Sequence, residues 1–173
     1  MNTRVLVTYA TRFGSTSDIS DTIAERLRAQ GLDVELLPVQ DVTALNGFGA
    51  VVIGSAVQYG TWLPEAVEFV TAHQDALNRV PVALFSVHIQ NQGKDAASAR
   101  QRHAYLDAVK PMLQPVDAVF FAGRFNRKGA RELMPKWLAR FMPPVDSRNW
   151  KRIRAWADGL PTTLGLRVAD PVG

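Results

Sequence analysis

The sequence contains no cysteine. Disulfides, thiolate metal sites and cysteine nucleophiles are therefore excluded, and a reducing compartment fits. No run of about 20 apolar residues occurs, so a membrane-crossing helix is not expected. The apolar stretch inside MNTRVLVTYATRFG is only strand length before polar residues intervene, shorter than the core of a secretory signal, and the expected location is the cytoplasm. No internal repeat, low-complexity tract or dividing linker is present, and no metal site is expected. What the chain does have is 173 residues, 47% hydrophobic and 21% charged, the composition of one globular domain spanning residues 1–173. Its net charge of +4 and pI of 9.8 favour an anionic partner: nucleic acid, a phosphate-bearing cofactor, an acidic small molecule or an anionic lipid surface.

Along the chain, short β-branched runs alternate with longer amphipathic ones. Arg4 to Tyr9, Val34 to Val39, Ala50 to Ala56, Pro81 to Ile89 and Ala118 to Ala122 read as five strands. Between and after them, Ile19, Ile23, Ala24 and Leu27 recur at helical spacing until Gly31, and helices are expected over 64–77, 95–113 and 150–160. Near-continuously apolar strands that alternate with helices imply right-handed βαβ units around a parallel sheet covered on both faces.

The first strand runs straight into TYATRFGSTSD, residues 8–18, where the helical pattern opens. A strand that ends in a tight loop at a helix N-terminus aims unpaired N–H groups and the positive end of the helix dipole at one spot, which suits an anion. Thr11, Ser15 and Thr16 add hydroxyls, Gly14 lets the backbone come close, and Arg12 adds charge. The loop lacks the later glycines of the dinucleotide fingerprint and the Gly-Lys-Ser/Thr of a P-loop. Its hydroxyl residues also serve as ordinary helix caps, so capping and phosphate binding both remain open.

In an open doubly wound sheet, ligands sit beyond the carboxyl ends of the strands. Two further stretches lie there. GSAVQYGTW, residues 54–62, brings Tyr59, Gly60 and Trp62 to where a planar ring can stack, or where the aromatics staple the next helix. SVHIQNQGK, residues 86–94, brings Ser86, His88, Gln90 and Asn91, with His88 also readable as a satisfied strand-end histidine.

These stretches, TRFGST (11–16), GSAVQYG (54–60), FSVH (85–88) and AGRFN (122–126), resemble the flavodoxin-like family, and within it the flavodoxin-like protoporphyrinogen oxidases of bacteria, to about Leu160. The resemblance implies a flavodoxin-like doubly wound five-stranded parallel sheet in the order 2-1-3-4-5, with helices on both faces. It implies FMN as cofactor, its phosphate held by Thr11, Arg12, Phe13, Gly14, Ser15 and Thr16. The isoalloxazine would be held by Ala56, Val57, Gln58, Tyr59 and Gly60 and by Val87 and His88. It further implies electron transfer from protoporphyrinogen through FMN to a quinone, in haem biosynthesis. Phe13 departs from the family, standing where a hydroxyl or acidic residue is common, and the segment between Met142 and Trp150 is shorter than in the enterobacterial oxidase.

The segment FNRKGARELMPKWLARFM, residues 125–142, reads as a basic amphipathic helix: Leu133, Met134, Trp137, Leu138, Phe141 and Met142 share one face, with Arg131, Lys136 and Arg140 beside it. Residues 127–142 then make a peripheral contact with an anionic membrane or with substrate, or pack on the sheet or a second subunit. Two functions stay open. One is an FMN oxidoreductase acting on a porphyrinogen and a quinone, with no nucleic-acid partner. The other is an FMN electron carrier without a small-molecule substrate, against which the high pI counts, since such carriers are typically acidic.

Overall fold

The computed structural model describes residues 3–168, with the side chains of residues 127 and 133 outside the described part. Five parallel strands form the sheet: β1 (Arg4–Ala10), β2 (Asp33–Pro38), β3 (Ala50–Gln58), β5 (Val82–His88) and β6 (Asp117–Ala122). A short β4 (Thr61–Trp62) folds back antiparallel on β3. The order is β2-β1-β3-β5-β6, which is the expected 2-1-3-4-5 order once the short arm is set aside. The chain builds outward from β1 in both directions, so a crevice opens at the carboxyl ends of β1 and β3.

The strands were legible because both faces are covered. Successive β1 side chains serve opposite layers: Val5 and Val7 pack under α1 (Ser15–Ala29) and the closing helix α7 (Trp150–Thr163), while Leu6 packs toward α2 (Pro64–Ala72). Gly54 in β3 is required by close approach, since a Cβ there would meet the Phe85 ring at 1.9 Å. At the end of α1 the N–H groups of Gly31 and Leu32 return to the carbonyls of Arg28 and Leu27, closing the helix with two of its free acceptors satisfied.

Three expected helices are shorter or broken. The segment 64–77 is interrupted at His73, giving α2 and the one-turn α3 (Gln74–Leu77). The segment 95–113 is helical only over α4 (Ala96–Ala104), which buries none of its residues; the apolar contacts come from Tyr105, Leu106, Val109 and Leu113 in the turns that follow. The expected amphipathic helix over 125–142 is not continuous either. A two-residue β7 (Arg124–Phe125) leads into α5 (Arg127–Leu133), the chain extends at Met134 (φ −151°, ψ 163°), and α6 (Lys136–Ala139) follows Pro135. The ring of Pro135 excludes helical geometry from the residue before it, so a stripe counted through this point does not form one face. This excursion returns through β8 (Val145–Asp146), which pairs with β7.

Candidate cofactor site

β1 delivers the loop 11–16 to the carboxyl edge of the sheet. Gly14 adopts φ +89°, and its N–H donates to Thr11 Oγ1 at 3.0 Å. A Cβ on Gly14 would meet nothing within 4 Å, so the glycine is dictated by the left-handed backbone and not by space. α1 begins one residue later and presents its free first-turn N–H groups to the same place.

Most polar groups around this loop are partnered inside the protein. Ser15 Oγ accepts from the Arg124 N–H at 3.0 Å, and the Asn126 side-chain amide donates to the Phe13 carbonyl at 3.4 Å. Three buried polar atoms among the described residues are not: Thr8 Oγ1, Thr16 Oγ1 and Arg124 Nε. A buried hydroxyl or guanidinium N–H without a partner costs about 1–3 kcal/mol, a cost that a bound group can relieve. Thr16 and Arg124 both line the cleft. Hydroxyl, guanidinium and helix N-terminus together form the donor set of a phosphate site, so these residues fit a phosphate-bearing cofactor.

Beyond the loop 11–16 the cleft turns more apolar. Ala56, Val57 and Gln58 at the end of β3 form one wall with Leu63; Val87 and Ile89 form another; Gly123, Arg124 and Phe125 close the third. Gly123 keeps this passage open, since a Cβ there would lie 2.9 Å from Val87 Cγ1 and 3.3 Å from Ser15 Oγ. A narrow apolar slot leading to a charged pocket suits a flat aromatic ring carrying a phosphate tail.

The sequence-predicted residues are thus divided. Thr11, Arg12, Phe13, Ser15, Thr16, Ala56, Val57, Gln58 and Val87 converge on one cleft, with Gly14 shaping its loop. Tyr59 and Gly60 form the two-residue turn between β3 and β4, both with positive φ (52° and 78°), and Tyr59 stands at the rim 89% exposed. Trp62 is a structural residue: it is buried, and its indole N–H donates to Ser86 Oγ at 2.8 Å.

His88 turns away from the cleft because its neighbour Val87 turns in. Its carbonyl accepts from the Gly123 N–H at 2.8 Å, so its backbone supports the cleft. Its buried imidazole instead contacts the Gln90 carbonyl through Nδ1 at 2.5 Å. Burial, more than anything else, pushes its pKa down, with the charges of Arg102 and Arg152 acting in the same sense. Asn91, at φ 60°, is also turned elsewhere and donates to the Tyr105 hydroxyl at 2.6 Å.

Arg12 pairs loosely with Glu132 at 3.6 Å, both side chains about half exposed, an arrangement worth little by itself. The Phe13 ring packs on Gly129 of α5, where a Cβ would approach to 3.1 Å. Arg148, 7% exposed, bonds Asp146 at 2.6 Å and Asp18 of α1 at 2.7 Å and lies over the Trp150 ring at 4.6 Å. The Arg148 guanidinium holds the Asp146 carboxyl below its usual range. The first turn of α1 therefore joins the loop 11–16 to the anchor of the excursion. The site residues expected from the sequence do not include Gly123, Arg124 and Phe125, although AGRFN is among the stretches that carry the resemblance. The signal was available, since they follow the fifth strand at the edge where ligands bind.

The fold and the site define a doubly wound α/β protein with a glycine-containing loop after its first strand that leads into α1. A family model described as a flavodoxin domain matches residues 6–137, and the chain belongs to that family. The protoporphyrinogen IX dehydrogenase [quinone] of Escherichia coli (strain K12) is 30% identical over 88 residues, which are 50% of this chain and 49% of that protein. The match spans about half the length of the curated relatives. A flavodoxin from the domain Archaea superposes with a TM-score of 0.56 at 14% identity, covering 94% of this chain and 99% of the other. The Flv1 flavodiiron core of Synechocystis sp. PCC6803 gives 0.60 at 13% identity, covering 94% and 36%. At these identities the structural likenesses concern the fold. No helix among the described residues is long and apolar enough to cross a membrane.

Proposed function

We propose that this protein binds one FMN and acts as an oxidoreductase that takes electrons from a porphyrinogen and delivers them to a quinone. The observation that carries the cofactor assignment is the buried, unpartnered Thr16 hydroxyl behind the left-handed Gly14 loop. The FMN supplies the two-electron redox chemistry. The chain's own residues bind and orient. The amides and hydroxyls of the loop from Thr11 to Thr16 hold the phosphate, and Arg124 offsets its charge. The backbone from Ala56 to Gly60 and the Val87–His88 strand end hold the ring. Val57, Leu63, Val87 and Ile89 exclude water from it.

The substrate class rests on the partial match to the quinone-dependent dehydrogenase and on the surface of the excursion. There Trp137 (69% exposed) and Phe141 (74%) project beside Lys136 and Arg140. Exposed aromatics among cations suit an apolar, carboxylate-bearing molecule or a peripheral contact with an anionic membrane.

An electron carrier is the alternative, favoured by the exposed rim at Tyr59, where a partner protein can reach the cleft. Anaerobic mixing of the FMN-loaded protein with protoporphyrinogen, followed by a quinone, separates the two. Bleaching of the flavin absorbance by the porphyrinogen and its return with the quinone is the expected result. Flavin that responds to neither, yet exchanges electrons with soluble redox proteins, establishes the carrier.

A further inference from the structure

On the far side of β5 from the cofactor cleft, at the same carboxyl edge, lies a second open pocket of about 360 Å³. Its polar lining holds three cations, Lys94, Arg102 and Arg152, together with Gln92, His103 and the buried His88. Among the described residues, no carboxylate lines it. Asp95, next to Lys94 in the chain, is engaged at the start of α4, accepting from Ser98 N at 2.9 Å and from Ser98 Oγ at 2.7 Å.

The two guanidiniums are held in place by backbone carbonyls. Arg102 Nη1 donates to the carbonyls of Asn91 and Gly93, the latter at 2.7 Å, and Arg152 Nη1 donates to the Phe120 carbonyl at 3.0 Å. Arg4, Arg12, Arg26 and Arg148 each have a carboxylate partner, whereas Lys94, Arg102 and Arg152 have none among the described residues. Fixed cations without counter-charge, around a pocket that admits a small molecule, are pre-organised for an anion, because little side-chain entropy remains to be lost on binding.

His88 adds a proton-linked element. The Gln90 carbonyl can only accept, so His88 Nδ1 carries the proton, and in the neutral ring Nε2 is the nitrogen left for a ligand. The charged and titratable groups around it are Lys94 from the loop after β5, Arg102 and His103 from α4, Tyr105 from the following turn and Arg152 from α7.

We propose that this pocket binds a small multivalent oxyanion, either phosphate or a di- or tricarboxylate, held by Arg102, Arg152 and Lys94, with His88 taking up one proton from water as the anion enters. The cofactor loop, on the other face of the strand, is not involved, so this assignment stands apart from the FMN reading. Burial, and after it the charges of Arg102 and Arg152, lower the pKa of the imidazole; an anion among those cations offsets their share of the shift.

The test is a titration of the protein with citrate and, separately, with inorganic phosphate, followed by backbone amide resonances and by calorimetry in two buffers of different ionisation enthalpy. Saturable shifts at residues 90–95, 102 and 152 with proton uptake, tighter at about pH 6 than at about pH 7.5, are expected. Response to citrate alone identifies a carboxylate ligand, and response to phosphate at these residues identifies a phosphate ligand. Arg102→Gln or Arg152→Gln should each raise the Kd about tenfold. Lys94→Ala, whose side chain makes no bond that the fold needs, should raise it by a smaller factor. Absence of saturable shifts at these residues at millimolar ligand, or shifts undiminished in the Lys94→Ala and Arg102→Gln proteins, overturns the proposal.

Discussion

Two pockets share the carboxyl edge of one sheet, and a single strand separates them. On the Val87 side of β5 the walls are mostly apolar and lead to the unpartnered Thr16 Oγ1 and Arg124 Nε; on the His88 side three cations line the pocket and the histidine is buried. Because side chains alternate along a strand, the consecutive residues Val87 and His88 face different pockets. The difference teaches that polarity at a strand end must be read one residue at a time. The cleft suits a flat molecule with one charged end, the second pocket a compact anion.

The largest effect that would sharpen this comparison is expected from Gly14→Val. A β-branched residue at φ +89° costs about 3 kcal/mol, which predicts roughly a hundredfold loss of FMN affinity in equilibrium dialysis. Unchanged affinity breaks the assignment of the loop. Next comes Arg148→Ala, which leaves Asp18 and Asp146 without their shared cation. A loss of about 2 kcal/mol in urea unfolding and faster proteolysis within residues 127–146 are expected, showing that α1 restrains the excursion.

A subtler test is Thr16→Val, which keeps the shape and removes the hydroxyl. Because the Thr16 hydroxyl has no hydrogen-bond partner among the described residues, the variant should be as stable as the parent or slightly more so, while binding FMN about tenfold more weakly and riboflavin equally well. A destabilised variant would mean that the hydroxyl serves the fold.

The smallest effect concerns pH. His88 has a folded pKa below its ordinary 6.5, so between that lower value and 6.5 the unfolded chain binds more protons than the folded one. Stability therefore falls as pH drops below about 6.5, and His88→Asn should flatten this dependence in urea midpoints measured from pH 7.5 to about 5.5. Citrate should oppose the loss in the parent protein only. Equal slopes in both proteins would remove His88 from the account.

Much of this architecture was legible in the sequence, for a physical reason. Strands buried on both faces have to be apolar almost throughout, and RVLVTY and PVALFSVHI show it without ambiguity. The loop TRFGST was legible as the turn from β1 into α1, because a glycine just before a helix start suits the left-handed backbone that Gly14 adopts. The segment 125–142 misled because helical periodicity was counted across Pro135, which fixes Met134 in an extended conformation. Trp62 and His88 could not be assigned from composition alone. Which face of the sheet each occupies follows from register, and the register was set by the pairings Val57↔Trp62 and His88↔Ala122. Arg124 was overlooked because a lone arginine after a strand looks like any surface cation until its Nε is seen to be buried without a partner.

The central claim is that a flat, phosphate-bearing cofactor sits on the Val87 side of β5 with its phosphate at Thr16. A crystal structure of the protein grown with FMN tests it directly. The account predicts the phosphate within hydrogen-bond distance of Thr16 Oγ1 and of the amides at the start of α1, and the ring between residues 57–60 and 87–89. A phosphate seated among Arg102, Arg152 and Lys94, with the loop at Gly14 empty, would contradict it.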